Sequence, residues 1–98
     1  MANGKELILP AARKEAAQRL SRIEGQIKGI KKMVEEGRYC VEVMGQISAV
    51  QEALRGVGKL IMRNYLENCV TSSLRSGSTK KAKETYRELM DVVYKFAK

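Results

Sequence analysis

The 98-residue chain carries 19 basic and 11 acidic side chains for a net charge of +8, with two cysteines, one proline, no tryptophan and no histidine. So short a chain allows one domain with a thin core, so self-association is expected. Hydrophobic residues at 44% with aromatics at only 5% suit helices and argue against a sandwich or barrel, so the fold class is all-α.

Taken in order, Met1 to Leu9 reads as a flexible arm whose three-residue apolar run is too short for a signal peptide. No segment approaches the roughly 18 apolar residues of a membrane span. A cytoplasmic location is therefore expected, where cysteines stay reduced and act as reactive or metal-binding thiols more readily than as a structural disulfide. The positive charge points to a polyanion, nucleic acid before a membrane surface.

The first helix is expected over about residues 10–36. Pro10 suits its first position, and Gly37 stops it after Glu36. Ala16, Leu20, Ile23, Ile27, Ile30 and Val34 form its apolar stripe, and the remaining surface is rich in Arg and Lys.

The second helix is expected over about 39–75, as one uninterrupted element with Val43, Ile47, Val50, Leu54, Val57 and Ile61 on its apolar face. Arg55, Lys59 and Arg63 recur every fourth residue along its outer face, and no acidic residue interrupts that row. Ser76-Gly77 ends the helix. Ser78 or Thr79 then caps a third helix over about 79–97, whose stripe is Ala82, Tyr86, Leu89, Val93 and Phe96.

Both cysteines lie on the second helix, and at 1.5 Å per residue Cys40 and Cys69 of one chain stand about 40 Å apart. They cannot meet within that chain. Two copies packed antiparallel about a two-fold axis between Leu54 and Arg55 bring Cys40 opposite Cys69 of the partner subunit, and each dimer then holds two inter-subunit dithiol sites. Gly45, Gly56 and Gly58 favour close backbone approach along the same seam.

Three stretches, RLSRIEGQIKGIKKMVEEGRYC (Arg19 to Cys40), VMGQISAVQEAL (Val43 to Leu54) and YLENC (Tyr65 to Cys69), resemble the copper-sensing operon repressors and their relatives (CsoR/RcnR type). The resemblance spans nearly everything from Arg13 onward. It implies an antiparallel dimer assembled into a homotetramer, and repression of double-stranded operator DNA relieved when Cys40 and Cys69 are occupied. Copper members supply a histidine four residues before the second cysteine, where this chain has Tyr65.

A phenol is a poor ligand for soft Cu(I). The dithiol without its histidine is similar to the branch that senses persulfide and other sulfane sulfur, although that branch often carries Asn where Tyr65 stands. Persulfide sensing with no required cofactor is accordingly the first expectation, and a Cu(I) response through the same two thiols is the alternative. Tyr39 and Glu88 match positions that surround the metal site in copper members, and with Tyr65 they complete the candidate surroundings of the thiols.

Family members lack a helix-turn-helix and use basic residues of the first two helices. The resemblance therefore assigns DNA contact to Arg13, Lys14, Gln18, Arg19, Arg22, Arg55, Lys59 and Arg63. Most of these would meet phosphates, while Gln18 or an Arg reads base edges. A thiol sulfur-carrier enzyme and a purely structural helical dimer are the other classes considered. No general base, Gly-rich loop or cleft motif supports an enzyme.

Overall fold

The computed structural model describes residues 8–97, together with the side chains of 8–96. The described residues are all-α: α1 (Pro10–Glu35), α2 (Cys40–Asn64), a π-helical turn (Tyr65–Val70), α3 (Thr71–Arg75) and α4 (Thr79–Ala97). The arm expected at residues 1–9 lies, up to residue 7, outside the described residues. Packing divides the chain into two compact units, one from Leu9 to Met62 and the other from Arg63 onward.

In the first unit Pro10 opens α1 behind an extended Leu9. The helix closes at Gly37, whose φ of 70° lies in the left-handed region that glycine enters without strain. The amides of Gly37 and Arg38 donate to the carbonyls of Val34 and Met33, at 3.1 and 3.0 Å. This paired closure satisfies carbonyls that the last turn leaves open. The short connection folds α2 back against α1.

Ala16 and Ile23 of α1 are buried with Val50 and Val57 of α2, and Ile30, Ala53, Leu60 and Ile61 pack around them. Every second or third member of each expected stripe stays outside that core. Leu20, Ile27 and Val34 of α1, and Ile47 and Leu54 of α2, are 41–60% exposed. One chain therefore uses only half of its apolar face.

In the second unit the helical backbone departs from the regular geometry expected through residue 75. Hydrogen bonding widens to π form over Tyr65–Val70, at residues whose side chains compete for backbone acceptors. Thr71 Oγ1 donates to the carbonyl of Leu66, five residues back, at 2.9 Å, and Asn68 Nδ2 donates to the carbonyl of Asn64 at 3.1 Å. A π turn of this kind is uncommon and frequent at functional positions.

Gly77, with φ of 78°, turns the chain, and the Ser78 hydroxyl accepts the amide of Lys81 at 3.2 Å, so Ser78 rather than Thr79 caps α4. Ser73 and Thr85 are buried and share a hydroxyl hydrogen bond between α3 and α4, while Ser73 also donates to the carbonyl of Lys81. These bonds keep two buried hydroxyls satisfied. Tyr86, Val93 and Phe96 of the expected stripe remain exposed at 64%, 46% and 61%.

Candidate functional site

Cys40 is the first residue of α2 and is exposed. Beside it Tyr39 is 69% exposed, its carbonyl accepting the amide of Val43, and Arg38 reaches Glu42 at 3.0 Å across the first turn. Cys69 is buried in the π turn of the other unit. The two thiols thus sit in contrasting settings, one open to solvent and one enclosed.

Around Cys69 the chain gathers Tyr65 and Glu88. The Tyr65 hydroxyl donates to Glu88 Oε1 at 2.7 Å, tying the π turn to α4. Burial, then the hydrogen bond to Glu88, then the charges of Glu88 and Cys69, push the Tyr65 phenol well above its ordinary value near 10. At neutral pH it stays protonated, and a protonated phenol oxygen bound to a carboxylate is not a ligand for a soft metal. Tyr39 belongs to the other unit and does not share this bond. Among the described residues no group of three or more His, Cys, Asp or Glu side chains stands close enough to hold a metal.

The DNA-contact candidates Arg13, Lys14, Gln18, Arg19 and Arg22 lie on α1, with Arg55 and Lys59 on α2 of the same unit. Arg63 begins the second unit. Arg19, Arg22 and Gln26 line an open groove of about 660 Å³ between α1 and α2, with Glu15 and Glu52 among its walls. Arg19 Nη2 meets Glu15 Oε2 at 2.5 Å, and Arg55 Nη1 meets Glu52 Oε1 at 2.6 Å. Arg63 lies 3.8 Å from Glu67. No acid lies inside the row Arg55, Lys59, Arg63, but one flanks each end and engages the arginine there. The spacings of three and four residues that form these pairs are visible in the sequence, whereas the widened turn behind Tyr65 and Cys69 is not.

An all-helical chain with two thiols and a basic helical face defines a class of small helical regulators. The family model "Metal-sensitive transcriptional repressor" matches residues 12–95. The chain belongs to that family, which comprises transcriptional repressors rather than enzymes.

The copper-sensing transcriptional repressor CsoR of Bacillus subtilis (strain 168) is 43% identical over 84 residues, covering 86% of this chain and 80% of that protein. The CsoR of Mycobacterium tuberculosis (strain ATCC 25618 / H37Rv) is 39% identical over 85 residues, covering 87% and 69%. Among solved structures, the copper-sensing repressor CsoR with Cu(I) from Geobacillus thermodenitrificans NG80-2 superposes with a TM-score of 0.82. It shares 42% identity, and the match covers 92% of this chain and 91% of that one. These relatives are described as copper sensors, which favours the metal-sensing alternative over the persulfide branch that the missing histidine had put first.

Proposed function

We propose that this chain is a repressor of double-stranded operator DNA, held as a homotetramer of antiparallel dimers and released when Cu(I) bridges Cys40 and Cys69 of the partner subunit. The observation that carries the reading is the placement of the two thiols, one at the start of α2 and one in the π turn that follows it, in a chain whose apolar face is half uncovered. Exposed Ile47 and Leu54 flank the axis that sets the two cysteines opposite each other. Two thiolates fit a linear Cu(I) site, and the protonated Tyr65 phenol leaves it without a third donor.

A second reading rests on the same absence. With no histidine in the chain, an exposed Cys40 thiolate can attack a persulfide donor and take its sulfane sulfur, and Cys69 of the partner subunit then resolves the product. Both readings use one dithiol and one basic face. No helix among the described residues is long and apolar enough to cross a membrane. A repressor acts where its operator DNA lies, so the cytoplasm is the location that goes with this reading.

The deciding experiment measures release of an operator duplex, selected from a random-sequence pool, under anaerobic Cu(I) and separately under a persulfide donor. Release by Cu(I) alone supports the first reading and release by the donor alone supports the second. On the same duplex Arg22→Ala and Lys59→Ala are each expected to weaken binding about tenfold and to reduce the salt slope by about one unit, with the oligomer intact. Unchanged affinity and slope in both variants would reject the basic face.

A further inference from the structure

The basic groove between α1 and α2 is not uniformly positive. Glu15 and Glu52 line it together with Arg19 and Arg22. Each acid engages an arginine one turn away on its own helix, Glu15 with Arg19 and Glu52 with Arg55. Arg22 lines the same groove with no carboxylate partner among the described residues. The groove thus presents one uncommitted guanidinium, that of Arg22, and one already neutralised, that of Arg19, while Glu52 on its wall neutralises Arg55 of the same helix. An arginine in an ion pair adds no net field at the distance from which DNA approaches, and its carboxylate repels any phosphate that comes close.

From this arrangement we propose that Glu15 and Glu52 are affinity-limiting residues of the DNA face, holding Arg19 and Arg55 back from phosphate so that the repressor binds duplex DNA less tightly than its cation count allows. The proposal rests on the DNA-binding reading above and adds a regulatory consequence to it. An effector that acts by coupling between sites changes affinity by only about 5- to 150-fold. A repressor bound much more tightly than that margin could not be cleared from its operator by its inducer. Restraint by two carboxylates keeps the complex within reach of the switch.

The geometry makes the restraint local and easy to lift. Both pairs are intrahelical and exposed, with side chains 42–73% open to solvent, and pairs of this kind contribute little to folding. Glu15→Gln and Glu52→Gln should therefore fold as the parent does, each leaving its arginine available to a phosphate.

The test measures binding of the full chain to a mixed-sequence duplex over a salt series, and then operator release at saturating inducer. The double variant Glu15→Gln/Glu52→Gln is expected to bind about tenfold more tightly at low salt. Its log–log salt slope should steepen by up to about two units, roughly 0.9 for each arginine that gains a phosphate. Release from the operator should become incomplete. The double control Glu24→Gln/Glu35→Gln changes net charge equally from outside the groove and is expected to shift affinity less than about twofold.

If the double variant binds no more tightly while Arg22→Ala still weakens binding, the DNA face stands and the restraint is refuted. A double variant that binds more weakly would show that the acids position the arginines instead, and equal tightening by Glu24→Gln/Glu35→Gln would reduce the effect to net charge. Loss of effect from Arg22→Ala and Lys59→Ala together would remove the surface on which the proposal rests.

Discussion

Cys40→Ser and Cys69→Ser are each expected to abolish inducer-driven release completely while leaving operator binding near that of the parent, because the thiols belong to the switch and the cations to the grip. The two variants are not equivalent to a double loss. Mixed in equal amounts and allowed to exchange subunits, they should recover one intact site per heterodimer, since Cys40 of one chain faces Cys69 of the partner subunit. Copper stoichiometry should rise from none in either variant to about one ion per mixed dimer in that arrangement.

A persulfide donor provides a covalent readout of the same geometry. Thiolate attack on the sulfane sulfur of the donor expels the donor's thiol and leaves a cysteine persulfide. Attack by the second thiolate then forms an inter-chain disulfide and releases sulfide, so the two cysteines are oxidised and the sulfane sulfur is reduced. A non-reducing gel should show a covalent dimer in the parent, none in either single variant, and its return in the mixture. Mass spectrometry that finds Cys40 joined to Cys40, or to Cys69 of the same chain, would overturn the antiparallel arrangement.

Much of this was legible in the residues themselves. Pro10, Gly37 and Gly77 mark helix boundaries because each carries its own backbone constraint, and the structure places a turn or a helix end at all three. The apolar stripes were equally visible, but their period cannot say which partner covers a residue. Ile23 meets α2 in its own chain, whereas Leu54 is left 45% exposed. The π turn escaped the sequence because it arises from backbone carbonyls captured by Thr71 and Asn68, and those residue types serve as readily on an ordinary helix surface. For the same reason the Tyr65–Glu88 bond, between residues 23 apart, carries no periodic signature, and the residues around Cys69 could be placed only by resemblance. The acids beside Arg19 and Arg55 had a signal in their spacing, which a count of uninterrupted basic residues passes over.

Tyr65→His should raise Cu(I) affinity by tenfold or more, about 1.4 kcal/mol, by supplying the nitrogen donor that the chain otherwise lacks. The position is already oriented for it, since Glu88 accepts a hydrogen bond from residue 65 at 2.7 Å and can accept one from an imidazole N–H, fixing which ring nitrogen faces the metal. Tyr65→Phe separates the two roles of the phenol. It should leave Cu(I) affinity unchanged, because the protonated oxygen is no ligand, and lower folding stability by about 1 kcal/mol or less through loss of an accessible hydrogen bond. The pH dependence has a definite sign. The folded protein holds the phenol proton more tightly than the unfolded chain does, so this contribution is complete below the unfolded value near 10 and is lost as pH rises above it. The advantage of the parent over Tyr65→Phe in denaturation at pH 7 should therefore shrink as pH rises above 10 and be lost in strong alkali. Competition against a Cu(I) chelator reads the affinities: a Tyr65→Phe variant that loses tenfold in Cu(I) binding would show oxygen ligation by Tyr65, and a Tyr65→His variant that gains nothing would show that residue 65 does not reach the site shared by Cys40 and Cys69 of the partner subunit.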